Sequence, residues 1–269
     1  MVPFTRKEKY DFNDFREIIA ILRHPGGCPW DMEQDHHSIR RNFIEEVYEA
    51  CEGIDQENTP LLREELGDVL MQVLFHASIE EDAGRFNIDD VCDEAVKKLI
   101  FRHPHVFGTA HVETIDGELN LWDDLKRQEK GQESYTDTLN SVAKTLPALW
   151  RAEKVQKKAA KAGFTWPNVE GALKKVDEEA AELREAVANG TNITEELGDL
   201  LMATVAAARQ LGIDPEDALN QATDKYIARF QRVEEGAIGS GHDMKELPLP
   251  VLEELWKQAK HQEEPHEQN

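Results

Sequence analysis

The sequence predicts an all-α protein built from two tandem copies of one helical bundle. Three observations carry that expectation. Apolar residues recur at three- and four-residue spacing along most of the chain. No segment alternates apolar and polar residues for long enough to be a strand. A set of acidic and aromatic landmarks occurs twice in the same order, which is how a duplicated unit reads.

Taken in order, Phe12, Phe15, Ile18, Ile19 and Leu22 mark an amphipathic first helix. Similar patterns predict helices over 38–55, 61–83, 88–102 and 118–130, and then over 138–162, 168–188, 193–211, 215–235 and 248–262. Helix breakers separate them: His24-Pro25-Gly26-Gly27, Asn58-Thr59-Pro60, His103-Pro104, Asn189-Gly190 and Asp214-Pro215. This gives about five helices per copy. The expected domains are 1–133 and 134–269, joined by the polar segment GQESYTDT near 131–140. Cys28-Pro29-Trp30 reads as a structural turn with a buried tryptophan, and His103-Pro104-His105 as a helix stop.

The repeat is explicit in the residues. EELGDVLMQV starts at Glu64 and EELGDLLMAT at Glu195. Upstream stand Glu45-Glu46-Val47-Tyr48-Glu49 and Glu178-Glu179-Ala180-Ala181-Glu182. Downstream, Lys98 and Arg102 match Lys225 and Arg229, Leu121-Trp122 matches Leu255-Trp256, and Trp30 corresponds to Trp166. Gene duplication is the simplest explanation of five landmarks kept in one order.

The 269 residues are 40% hydrophobic and 32% charged, the balance of a soluble globular chain. No apolar run reaches the roughly 18 residues needed to span a bilayer, and the N-terminus lacks an apolar signal segment, so a cytoplasmic protein with no membrane partner is expected. The three cysteines follow no CxxC spacing, which argues against a disulfide framework and a thiolate zinc site. A net charge of −23 repels a phosphate backbone, so nucleic acid is not an expected partner. A small anionic nucleotide stays possible where bound cations offset its charge.

Residues three apart on a helix share a face. Glu46 and Glu49, with Glu65 and Asp68, can therefore converge between two antiparallel helices. Glu179, Glu182, Glu196 and Asp199 repeat the pattern. Like charges so spaced cost about 0.2–0.5 kcal/mol per pair on an exposed helix, and burial costs far more unless a cation compensates. Ligation by oxygen alone favours a hard ion, Mg2+ or Mn2+, over zinc. Most glutamate-rich helices are merely solvated faces. Here the acids precede the apolar runs Val69-Leu70-Met71 and Leu200-Leu201-Met202, which places them beside the core. Gly67 and Gly198 cost about 1 kcal/mol each relative to alanine inside good helices, and are expected to allow close helix approach at the site.

CPWDMEQ, EExxE followed by ExxD, ELGD in both halves and the duplicated Leu-Trp segment together resemble the MazG nucleoside triphosphate pyrophosphohydrolases over nearly the whole chain. The resemblance implies an all-α, dimeric-dUTPase-like fold in tandem and a homodimer. It also implies hydrolysis of nucleoside triphosphates, ATP among them, to the monophosphate and pyrophosphate. Carried over by motif, Glu179, Glu182, Glu196 and Asp199 are the catalytic Mg2+ ligands of the favoured second copy, with Glu46, Glu49, Glu65 and Asp68 as a second metal set. Lys225 and Arg229 hold phosphate oxygens, Trp256 lies against base or ribose, and Lys175 and Glu178 are further nucleotide contacts. Lys98, Arg102 and Trp122 are the counterparts in the first copy. Where the family carries a lysine just before ELGD, this chain has Thr191-Asn192-Ile193.

Other chemistries fit less well. Glu33 and His36 form an ExxH, but a di-iron bundle needs a second one, and no histidine lies between His111 and His242. His76 reads as a satisfied helix histidine, and His36-His37 as a surface turn. His242-Asp243 is a lone dyad in a glycine-rich loop. Arg63 to Gly67 lacks the upstream spacing of a Nudix box. The competing functions are a non-catalytic acidic scaffold, and the same fold acting on dUTP or another specialised nucleotide.

Overall fold

A computed structural model describes residues 4–109, 114, 121–122 and 125–261, and the chain divides into two compact units, Met1–Lys126 and Arg127–Asn269. The expected join at 133/134 lies inside the second unit. Among the described residues there are helices and no strands.

In the first unit, α1 (Phe12–Arg23) starts at a capping box made by Asp11 and Asp14. Next come α2 (Pro29–Glu33), α3 (Arg40–Asp55), α4 (Thr59–Asp82), α5 (Ile88–Arg102) and the short α6 (Pro104–Phe107). The α3–α4 hairpin is the backbone of the unit. Its tight connection puts Glu57 at φ 52, and Asn58 caps α4. Gly53 makes the close approach here, since a Cβ would lie 2.8 Å from the Leu62 amide nitrogen. Ile19, Ile39, Leu74, Phe75, Ala77 and Ile88 form the core. The buried Arg23 ties α1 to α4: its Nε donates to Ser78 Oγ at 3.1 Å and its guanidinium reaches Asp82 at 2.8 Å.

The second unit contains α7 (Tyr135–Asn140), α8 (Ala148–Lys161), α9 (Val169–Asn189), α10 (Ile193–Leu211), α11 (Pro215–Gly239) and α12 (Leu249–His261), with a 3-10 turn at Met244–Glu246. The α9–α10 hairpin repeats the α3–α4 hairpin. Its core is small-residue packing: Ala172, Ala206 and Ala207 are buried with Val176 against them. Among the described residues, no helix is long and apolar enough to cross a membrane.

The periodicity located most helices to within a few residues, and two expectations are corrected. The single helix expected over 138–162 is two, α7 and α8, because Pro147 cannot continue a helix and Ser134 with Asp137 caps α7 separately. Trp30 is not buried. It is 59% exposed at the start of α2, where Pro29 opens the helix. Of the helix expected over 118–130, residues 121–122 and 125–129 are helical, and the rest falls outside the described residues. The extension of the last helix to 262 does likewise.

Candidate functional site

On α9, Glu179 and Glu182 lie one turn apart, and α10 brings Glu196 and Asp199 alongside. One carboxylate oxygen from each of Glu179, Glu196 and Asp199 lies within 4.8 Å of the other two. Glu178, Glu179 and Glu182 make an overlapping group of the same tightness. Glu179 is the hub. It is 4% exposed, and its Oε2 is buried with no hydrogen-bond partner. Its other oxygen is 2.5 Å from Lys175 Nζ, which also reaches Glu178 at 2.7 Å. Hydrogen bonds to the two carboxylates raise the Lys175 amine above its ordinary range. Desolvation, and after it the charge of Glu179, pushes the Glu182 carboxyl up.

The first unit builds a parallel group. Glu46 and Glu49 on α3 meet Glu65 on α4 within the same 4.8 Å. Asp68 stands outside that trio, yet its charge reaches both Glu46 and Glu65. Burial first, and then the charges of Asp68 and Glu49, raises Glu46. Burial and the charges of Glu49, Asp68 and Glu46 raise Glu65, whose Oε2 is buried without a partner. Crowded carboxylates with an orphaned buried oxygen are unfavourable unless a cation or a proton intervenes. An all-carboxylate donor set fits a hard divalent ion at both places.

The glycines of the two ELGD motifs do not serve helix approach. A Cβ at Gly67 or Gly198 would meet nothing within 4 Å. Each leaves open backbone beside an acidic trio instead, because the hairpins close at other positions.

Arg229 on α11 meets Trp256 on α12, and Lys225 stands one turn before Arg229. The Arg229 guanidinium lies 5.9 Å from the Trp256 ring centre, and Tyr226 packs on the same indole at 4.8 Å. Arg102 repeats this over Trp122 at 5.4 Å in the first unit, where Lys98 shares α5 with it. The cavity against the second acidic trio is lined in part by Lys175, Glu179 and Asp199, and not by Lys225, Arg229 or Trp256.

His36 and His76 are held in a local network. His36 bonds His76 through facing Nδ1 atoms at 2.7 Å, and its Nε2 meets Glu80 at 2.5 Å. Arg85 grips the same carboxylate. No group of three metal-capable side chains involving Glu33 or His36 occurs among the described residues. Asp243 caps the 3-10 turn through the Lys245 amide.

Sequence reasoning missed the cavity wall made by Phe164, Gln156 and Arg209. The available signal was the run Gly163-Phe164-Thr165-Trp166-Pro167, two aromatic residues in a turn just ahead of the Asn168 cap.

Fold and site thus define a tandem helical-hairpin protein whose two hairpins each gather carboxylates suited to a divalent ion. The chain belongs to the MazG nucleotide pyrophosphohydrolase domain family, with matches over residues 34–107 and 168–233. Each match contains one carboxylate hairpin. The chain is similar to the nucleoside triphosphate pyrophosphohydrolase/pyrophosphatase MazG of Thermotoga maritima, 42% identical over 91% of this chain and 95% of that protein. It is also similar to the nucleoside triphosphate pyrophosphohydrolase of Escherichia coli K12, 41% identical over 91% of this chain and 95% of that one.

Proposed function

We propose that the protein hydrolyses nucleoside triphosphates to the monophosphate and pyrophosphate, with Mg2+ or Mn2+ held by Glu179, Glu182, Glu196 and Asp199. The observation that carries this reading is the convergence of Glu179, Glu196 and Asp199 around a buried, unpartnered Glu179 oxygen. It occurs in a chain of the pyrophosphohydrolase family.

When bound, the ion would supply neutralisation of triphosphate oxygens and a lowered pKa for an attacking water. The carboxylate oxygens left unengaged orient that water for in-line attack at the α-phosphorus. The bond to the bridging oxygen then breaks and pyrophosphate leaves. Lys175 holds Glu179 in place and stands where it can pass from the carboxylates to a phosphate oxygen. Glu178 keeps the Lys175 amine charged. Lys225 serves as a point charge and Arg229 as a fork for phosphate oxygens, and Trp256 contacts base or ribose. Aligned charges of this kind act on the charge that develops in the transition state.

The first unit is the weaker candidate for turnover and serves as a second metal site, through Glu46, Glu49, Glu65 and Asp68. Each unit acts as one MazG-like domain of a homodimer. Apolar side chains left exposed on α5 and α11, such as Leu99, Ile100, Tyr226 and Ile227, support a buried partner face. A cytoplasmic role in clearing excess or aberrant triphosphates follows from the activity.

The test is product analysis with α- and γ-labelled triphosphates in Mg2+. Pyrophosphate and the monophosphate are expected. Release of orthophosphate with a diphosphate refutes the bond assignment.

A further inference from the structure

The chain carries 31 basic against 54 acidic residues, yet one helix of the second unit reverses that balance. On α8, Arg151, Lys154, Lys157, Lys158 and Lys161 recur at three- and four-residue spacing, so the helical repeat puts them on one face. The stripe they make is about 15 Å long. Val155, Gln156 and Ala159 occupy the other side of the helix and line the cavity beside the second acidic trio. The cations are thus turned away from Glu179, Glu196 and Asp199.

Lys130 joins the stripe from outside the helix, on a turn that Arg127 holds. The Arg127 Nε donates to the Gln132 carbonyl at 3.2 Å, and its guanidinium donates to the Glu133 carbonyl at 3.0 Å. The same cation lies 4.8 Å from the Tyr135 ring centre. The charges of Lys130 and Lys154 both reach Lys158. Burial first, and then those two charges, holds the Lys158 amine below its ordinary range. Elsewhere on the helices, Arg41, Lys97 and Lys175 each pair with an acid of their own helix. Among the described residues, no ion pair involves Lys130, Arg151, Lys154, Lys157 or Lys158. Like charges gathered in this way repel one another, and a bound anion relieves that repulsion.

We propose that Lys130, Lys154 and Lys158, flanked by Arg151 and Lys157, bind a compact polyphosphate at a site separate from the carboxylate hairpins. Ammonium groups meet phosphate oxygens directly through charge-assisted hydrogen bonds, so this site needs no metal. Three converging amines match the charge of at least two linked phosphoryl groups. The whole-chain charge of −23 sets the size of the ligand. A nucleic acid or an acidic protein surface extends past the stripe and meets the surrounding acids. A compact anion sits within the Debye length of about 8 Å and feels mainly the local cations. The site stands apart from the hydrolysis reading, because it binds on the opposite side of α8.

The experiment is calorimetry in EDTA with inorganic triphosphate as the probe. It compares wild type with a Lys154→Gln, Lys158→Gln double variant and a Lys154→Arg, Lys158→Arg double variant. Wild type is expected to bind, and more weakly as salt is raised. The glutamine pair is expected to lose about 10- to 100-fold in affinity, and the arginine pair to retain binding. Turnover with Mg2+ should be unchanged in the glutamine pair, which separates the stripe from the carboxylates. ATP in the same titration distinguishes the two sources of such a ligand. Triphosphate binding at least as tightly as ATP assigns the site to a free polyphosphate, and tighter ATP that still needs Lys154 and Lys158 assigns it to a nucleotide tail. Absence of binding to wild type in EDTA would overturn the proposal. Equal affinity in wild type and the glutamine pair would also overturn it, by moving the anion to other cations such as Lys225 and Arg229. A glutamate-rich peptide binding tighter than triphosphate would replace it with an acidic protein partner. The binding arm needs no turnover, so a chain inactive on every triphosphate still tests the stripe.

Discussion

Lys175 Nζ lies 2.5 Å from Glu179 Oε1, while the other oxygen of that buried carboxylate has no partner. One side chain is thus half neutralised by a cation within the protein and half prepared for a cation from outside. Loss of the outer ligands should be severe. Glu196→Ala or Asp199→Ala is expected to lower kcat by at least about 10²- to 10³-fold with helical content unchanged by circular dichroism. Glu65→Ala and Asp68→Ala should leave most turnover in place. The reverse pattern in steady-state kinetics would assign catalysis to the first unit.

The second prediction concerns the open glycines. Gly67 and Gly198 are helical, and a methyl group added to either would meet no neighbouring atom within 4 Å. Alanine at either position is expected to raise stability by about 1 kcal/mol, read by urea unfolding in chelator. Gly53→Ala should do the opposite, by about 1–3 kcal/mol, because its methyl group would press on the Leu62 backbone at 2.8 Å.

The pattern of what could be read in advance follows from which information is local. Helices were legible because amphipathic spacing and boundary signals such as Asn58-Thr59-Pro60 and Asp214-Pro215 are written within a few residues. The carboxylate hairpins were legible because i, i+3 acids on adjacent helices need only a short connection to meet. Trp30 was misjudged because nothing near Cys28-Pro29-Trp30 states what covers the indole. The His36–His76–Glu80 chain was read only as separate parts, since its members are 40 and 44 residues apart. The Gly67 and Gly198 reading failed because a glycine permits close approach without requiring it.

Crowding in the first unit supplies a third prediction. Glu65 is pushed up by burial and by the charges of Glu49, Asp68, Glu46 and Glu64. Glu65→Gln is expected to raise the melting temperature in chelator by removing one of the repelling charges. The same variant should lose the part of the Mg2+- or Mn2+-induced stabilisation that the first unit contributes. A scanning calorimeter checks both, and a lower metal-free melting temperature would contradict the electrostatic account.

A fourth prediction concerns pH. Hydrogen bonds from Arg85 and His36 hold the Glu80 carboxyl down from 4.5 to about 2. A depressed acid stabilises the fold above its unfolded value and loses that contribution as pH falls from about 4.5 toward 2. Burial, aided by the neighbouring His36, lowers His76 below 6.5, so the fold favours its neutral form. That contribution is complete above 6.5 and erodes as pH falls below it. The melting-temperature difference between wild type and Glu80→Gln should therefore narrow between pH 5 and pH 2. For His76→Phe, narrowing should begin near pH 6.5.

The most direct measurement is an anomalous difference map from crystals grown with Mn2+. The account predicts a peak in the second unit within coordination distance of Glu179, Glu196 and Asp199, about 2.0–2.3 Å from their oxygens. A well-ordered map with manganese bound elsewhere and those three carboxylates still bare would contradict it.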